Sequence, residues 1–400
     1  MAEKDVLEYD VLVIGAGPAG STAARYASMN GAKTLVIEKR QEIGSPVRCG
    51  EGISISWLEE FGIEDHKKWS VAKVKGARLY FPGARMLELA GEYDAHGLGV
   101  ICERDVFDKE MARLAAKEGA DFMLKTSAVS LIKEEGKICG AVARNMGKEF
   151  KIKADIVIGA DGFESQVGRW AGIYKSSVPQ EDIMTCFQYR MTNVDFDPNF
   201  SQFHLGKCAP GGYAWVFPKG ENMANIGLGI QLSLLDGSKT PKEYLDEFIE
   251  SHEGFKKGEP IDMVAGGVSV GPPPKKVTTD GLMLVGDASR VVNPMTGGGI
   301  DNGVKQGKIA GEVAAECIKE GRSDDEFLQR YEERWRDRLE NILWRNYMAR
   351  EKCMQISGDI FTKLMNTLSK LDLKEVSVGT ILNAIKEEYP EIVEEFKDML

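Results

Sequence analysis

Four short runs along the chain are almost wholly apolar, and each stops at a glycine or an acid. Val11-Leu12-Val13-Ile14 stops at Gly15, Leu35-Val36-Ile37 at Glu38, Ile156-Val157-Ile158 at Gly159, and Leu282-Met283-Leu284-Val285 at Gly286 and Asp287. Apolar runs of this length without alternation predict buried strands, as in a parallel sheet flanked by helices. Elsewhere the pattern alternates. Tyr213, Trp215 and Phe217 recur at every second position, and segments such as Arg78–Gly83 and Thr185–Met191 read as short strands between glycine and proline turns. Towards the end the period lengthens again: Leu328, Tyr331, Trp335, Leu339 and Ile342 fall at steps of three and four, a single helical stripe expected to pack on its own protein.

The first apolar run continues as Gly15-Ala16-Gly17-Pro18-Ala19-Gly20, which joins a strand to a helix starting near Ser21 through three spaced glycines. The spacing suits a dinucleotide. Gly15 makes the tight turn, Gly17 lets the backbone approach a pyrophosphate, and Gly20 lets the helix pack closely on the strand. The N–H groups around Pro18, Ala19 and Gly20 then face the phosphates with the helix dipole behind them. Glu38, eighteen residues past Gly20 at the end of the second strand, stands where an acid receives a ribose hydroxyl pair. A second strand-turn-helix is expected at Ile156–Arg169, where Gly159-Ala160-Asp161-Gly162 forms the turn and Ser165 caps the helix. Asp287 ends a further strand at the carboxyl edge of the sheet, and Pro294–Gly303 is a glycine loop entering a helix whose N-terminus suits a charged group.

Composition narrows the partners. At 400 residues, 43% hydrophobic and 28% charged, the chain fits a soluble α/β enzyme with an inserted or appended domain. A net charge of −11 argues against nucleic acid. There is no signal-like N-terminus and no apolar stretch near the length of a membrane span, which predicts a cytoplasmic protein. Seven cysteines without paired spacing indicate free thiols, and four scattered histidines offer no metal site.

In order and spacing these motifs resemble the FAD-binding family of para-hydroxybenzoate hydroxylase-like flavoproteins over roughly residues 6–320. The resemblance implies FAD and a Rossmann-like binding domain with an antiparallel β-sheet substrate domain. It places Asp287 on the ribityl chain, Gly299 and Ile300 beside the flavin ring, Arg104 along the cofactor and the Ala128 backbone at the adenine, with Asp161 among the cofactor-binding residues. The expected division is a discontinuous FAD-binding domain of residues 1–70, 101–178 and 279–325, a substrate domain of 71–100 and 179–278, and a helical C-terminal region, 326–400. Gly271–Lys276, with three prolines, reads as a stiff crossing back to the first domain.

Two further segments narrow the family. Tyr213-Ala214-Trp215-Val216-Phe217-Pro218, followed after Lys219–Ile226 by Gly227-Leu228-Gly229, makes one strand face an aromatic wall suited to an apolar substrate. This pattern, with Cys49-Gly50-Glu51-Gly52, is similar to that of the geranylgeranyl reductase family, flavoproteins that saturate isoprenoid chains. Halogenases carry a related aromatic-proline segment, with tryptophan first and isoleucine before proline, from which Tyr213 and Phe217 depart. The resemblance implies that Cys49, Gly50 and Gly52 contact FAD, with Cys49 near enough to tune the ring. Tyr213, Trp215 and Phe217 would line the substrate channel, and Tyr213 or an ordered water would supply the proton. The expected substrate is a geranylgeranyl chain, as in digeranylgeranylglycerophospholipids of archaeal-type membranes, met by peripheral attachment to the inner membrane face. The electron donor is expected to be NAD(P)H or a ferredoxin, because no second nicotinamide motif is present. An aromatic monooxygenase and a non-catalytic flavoprotein, carrying prenyl lipid or passing electrons to quinones, share many of these features.

Overall fold

The computed structural model describes residues 6–63, 66–90, 99–370, 386, 387 and 389. The chain divides into two compact units, each assembled from three stretches. Met1–Val47, Arg104–Val178 and Ser269–Trp344 form the first, and Arg48–Glu103, Pro179–Val268 and Arg345–Leu400 the second. Residues 48–70, expected with the cofactor domain, therefore fall in the second unit. Residues 326–344, expected in a separate tail, fall in the first.

The sheet of the first unit runs in the order Thr278–Thr279, Leu282–Leu284, Lys148–Gly159, Val6–Ile14, Thr34–Ile37 and Asp121–Met123. All of these neighbours are parallel except the first pair. Lys137–Asn145 pairs antiparallel with Lys148–Gly159 and with Thr126–Glu134. Val11, Leu12 and Val13 are fully buried, as expected for strands covered on both faces. The helix Pro18–Met29 packs on the helix Ile300–Glu320 through backbone. A Cβ at Gly307 would lie 2.4 Å from the Ala19 carbonyl oxygen, and one at Gly311 2.3 Å from that of Ala23. Only glycine permits that approach.

The first helix begins at Pro18, three residues before the sequence expectation, with Gly17 as its N-cap. Proline at the first helical position forfeits an N–H that has no intrahelical partner anyway. At the other end of this unit, Leu328, Tyr331, Trp335 and Leu339 of the helix Asp325–Gln355 are buried as the stripe predicts. The stripe continues through Leu343 at 1% exposure, whereas Ile342 is 43% exposed. Both steps are compatible with 3.6 residues per turn, and the inward face follows steps of four from Tyr331 onward.

The second unit is built on a seven-stranded sheet ordered Glu259–Ser269, Ile183–Thr192, Met223–Gln231, Tyr213–Pro218, Phe200–Leu205, Gly76–Tyr80 and Leu87–Ala90. From Ile183–Thr192 to Leu87–Ala90 its ladders are antiparallel with one departure from expectation: Phe200–Leu205 runs parallel to Gly76–Tyr80. One face carries Ala214, Val216, Ala224, Ile226, Leu228 and Ile230, packed with Leu245 and Phe248 of the helix Pro241–Glu250. Thr240 and Glu243 close that helix with a capping box. The opposite face holds the aromatic motif.

Candidate active site

In the first unit the glycine turn has the geometry its sequence suggests. Gly15 has φ 110°, and a Cβ there would lie 2.3 Å from the Ala160 carbonyl oxygen. A Cβ on Gly20 would lie 2.0 Å from the Gly15 oxygen, whereas nothing stands within 4 Å of one on Gly17. Gly17 therefore faces open space at a helix N-terminus that no side chain caps. Its N–H groups remain available to an anion. Glu38 lies beside this turn, accepting from the Ala16 N–H at 3.0 Å and from the Arg40 N–H at 2.9 Å.

The Asp287 segment forms a second cradle in the same unit. Gly286–Ser289 is a single helical turn, tied by Gln306, whose Oε1 accepts from the Gly286 N–H at 2.8 Å and the Ser289 hydroxyl at 2.6 Å. No described donor hydrogen-bonds the Asp287 carboxylate. Burial pushes this carboxyl up, partly offset by the Arg104 charge. A Cβ on Gly299 would lie 3.0 Å from Asp287 Oδ1, and Gly299 is the uncapped N-terminus of the 21-residue helix that starts at Ile300. Arg104 is gripped by Asp108 at 2.8 and 3.0 Å. Ala19 lies where the two cradles approach: a Cβ on Gly286 would come within 2.8 Å of its methyl. An unpaired carboxylate and two uncapped helix starts fit a polyhydroxylated, phosphorylated cofactor such as FAD. Ala128 sits in the strand Thr126–Glu134. Asp161 also holds a helix start. It accepts from the Ser165 hydroxyl and from the N–H groups of Gln166 and Val167, capping the helix Gln166–Trp170.

In the second unit the aromatic strand behaves as its alternation predicts. Ring centroids lie 6.0 Å apart for Tyr213 and Trp215 and 6.2 Å for Trp215 and Phe217. Phe203, opposite Trp215 on the adjoining strand, touches both Tyr213 and Phe217. The Gly-x-Gly that follows has a packing cause. Gly227 pairs with Trp215, and a Cβ there would enter the indole at 2.5 Å; Gly229 pairs with Tyr213 beside the Cys186 sulfur.

The Cys49–Gly52 loop lies on this wall. A Cβ on Gly50 would come within 3.0 Å of the Phe217 ring and 3.5 Å of Trp215 Nε1, and one on Gly52 within 3.2 Å of Phe217. The two segments singled out separately in the sequence thus meet within one unit. Trp215 is 8% exposed and Tyr213 and Phe217 are half-buried, so much of the wall is packing surface. Burial pushes the Tyr213 phenol up and the Cys186 thiol up to about 12, which makes each a weaker acid than usual.

The polar end of the same face was not foreseen. Lys219, fully buried at its side chain, binds Glu51 at 2.8 Å, Glu103 at 3.1 Å and the Cys102 carbonyl at 2.7 Å. Arg190 reaches Glu51 and Glu103, each at 2.9 Å. Asn225 pairs with Phe217 on one side and Arg190 on the other. Lys219 lies two residues beyond Phe217, continuing the alternation, and that was the available signal. Gln188 and Asn225 become visible only once strand register is known.

Comparisons with known proteins bear on the chain as a whole. Residues 10–210 match the family model described as FAD dependent oxidoreductase, and residues 182–268 that described as geranylgeranyl reductase catalytic domain. A digeranylgeranylglycerophospholipid reductase from Thermoplasma volcanium is 48% identical over 98% of this chain and 99% of its own. The crystal structure of a geranylgeranyl bacteriochlorophyll reductase-like protein from Thermoplasma acidophilum superposes with a TM-score of 0.93 at 48% identity, covering 99% of this chain and all of that one. A p-nitrophenol 4-monooxygenase from Pseudomonas putida, 15% identical with a TM-score of 0.75 over 99% of this chain and 98% of its own, shares the fold alone.

Proposed function

The chain belongs to the geranylgeranyl reductase family of FAD-dependent oxidoreductases, and on that premise we propose how its residues divide the reduction of geranylgeranyl lipids. Bound and reduced, FAD supplies a hydride to one carbon of an isolated alkene while a proton reaches the other. The turn at Gly15, Gly17 and Gly20, with Ala19 and Glu38, receives the adenosine diphosphate half. The Ala128 backbone meets the adenine and Arg104 lies along the cofactor, while Asp287, Gly299 and Ile300 take the ribityl chain and the ring. Cys49, Gly50 and Gly52 meet the flavin from the loop that lies on Phe217.

An isoprenoid double bond has no carbonyl to share developing charge, so alignment and dryness must do most of the work. Tyr213, Trp215, Phe217 and Phe203 supply an apolar face on which a prenyl chain can lie. This continuous aromatic face, with Gly227 as its floor, is the observation that carries the reading. Burial holds the Tyr213 phenol protonated, so it keeps a proton to give to the alkene directly or through an ordered water. The physiological substrate is a digeranylgeranylglycerophospholipid reached by peripheral contact with the membrane, and the donor is NAD(P)H or a ferredoxin.

The test is saturation itself. The FAD-loaded protein, given geranylgeranylated phospholipid and dithionite, NAD(P)H or reduced ferredoxin in parallel, should yield lipid heavier by two mass units per reduced bond. Unaltered lipid with dithionite, under conditions where the flavin is fully bleached, would refute the assignment. Saturation with only one physiological donor would identify it.

A further inference from the structure

Two side chains of the sheet hold the Cys49–Gly50 peptide by its carbonyls. Gln188 Nε2 donates to the Cys49 carbonyl at 3.2 Å while its Oε1 accepts from Trp215 Nε1 at 2.8 Å. Asn225 Nδ2 donates to the Gly50 carbonyl at 3.2 Å and to Glu51 Oε2 at 2.7 Å. That same carboxylate oxygen accepts from Arg190 at 2.9 Å and pairs with Lys219 at 2.8 Å. Glu51 is 1% exposed and has φ 74°, the left-handed region that residues with a side chain avoid.

Such an arrangement is a costly way to make a turn, since burying Glu51 and Lys219, with Arg190 and Glu103 half-buried beside them, adds little net stability even when they are paired. What it supplies is direction. Contact between two glycines and the flat Phe217 ring would let the loop slide, whereas hydrogen bonds to successive carbonyls fix both its height and its register on the sheet. Gln188 is also the only described side chain bonded at once to the loop and to the indole of the aromatic wall.

We infer that Gln188 and Asn225 are positioning residues that lock the Cys49–Gly50 peptide to Trp215 and Phe217, with Glu51, Arg190 and Lys219 as the anchor. A displacement of Trp215 by a prenyl chain is thereby transmitted through one amide to Cys49. The catalytic significance rests on the proposal that this loop meets the flavin; the clamp itself does not.

The full-length FAD-loaded protein carrying Gln188→Leu loses both bonds with little change in volume. Gln188→Glu keeps an acceptor for Trp215 but removes the donor to Cys49, and it serves as the second variant if the leucine variant fails to fold. The readout is alkylation of Cys49 by iodoacetamide, followed on the isolated peptide by mass spectrometry, beside kcat and KM for geranylgeranyl phospholipid. With one such bond removed we expect Cys49 to react about tenfold faster. We also expect kcat to fall while KM changes little. Alkylation at the parent rate in a folded variant overturns the clamp. Faster alkylation with an unchanged flavin spectrum and kcat upholds the clamp and instead removes the loop from the flavin.

Discussion

At the scale of single residues, legibility followed how local the cause was. Gly20 announces itself because its constraint comes from the Gly15 carbonyl of the same motif, 2.0 Å from where a Cβ would lie, and Gly15 because the tight turn itself demands its φ of 110°. Glu51, Gln188 and Asn225 could not be read in this way. Their partners are supplied by cross-strand register and by residues far away in sequence, 174 positions in the Asn225–Glu51 bond. Asp161 shows the converse: an aspartate in a cofactor-like turn whose oxygens serve a helix start. Asp287 differs from it in having no described hydrogen-bond donor, which leaves its carboxylate for a ligand. Asp287→Ala should therefore weaken FAD retention by about 1.5–3 kcal/mol, the usual worth of a hydrogen bond to a charged group, or roughly tenfold or more in Kd. Equilibrium flavin fluorescence measures it. A Kd equal to the parent's would take Asp287 out of the site.

At the scale of elements, apolar runs and periods identified the strands and the long helix, while the phase of the helix stayed open by one residue. Steps of three and four from Leu339 lead equally to Ile342 and Leu343, and only packing selects Leu343. The two positions make a controlled pair. Leu343→Ala should cost about 2–5 kcal/mol through the cavity it leaves, and Ile342→Ala no more than about 0.5 kcal/mol. Urea titrations of the two variants decide it, and equal losses would mean that the helix is rotated from the position described. The helix Pro241–Glu250 escaped notice for a different reason. Its ten residues give few turns of periodicity, and its buried contacts, Leu245 and Phe248, are a single step of three apart. The Gly227-Leu228-Gly229 motif is intermediate: its spacing is plain in the sequence, but its cause, the Trp215 indole above Gly227, is a cross-strand fact.

At the scale of the whole molecule, the chain divides into two discontinuous units whose borders no motif marks. The Cys49–Gly52 loop joins the second unit because its partners, Gln188, Trp215, Phe217 and Asn225, are there, which no local composition shift marks. The same scale governs how a lipid is reached. No helix among the described residues is long and apolar enough to cross a membrane, and the chain carries a net charge of −11. A protein of that charge is repelled by anionic lipid, so the proposed peripheral contact must be driven by apolar side chains such as the exposed Trp344 and Met348, one helical turn apart. Screening removes repulsion but leaves apolar burial intact. Flotation with liposomes containing anionic lipid and the geranylgeranylated substrate should therefore hold or increase as salt rises from about 0.01 to 1 M, over which the Debye length shrinks from roughly 30 to 3 Å. Flotation lost at high salt would show that a cationic surface does the docking, and its failure at both salts would mean that the lipid is delivered to the enzyme away from the bilayer.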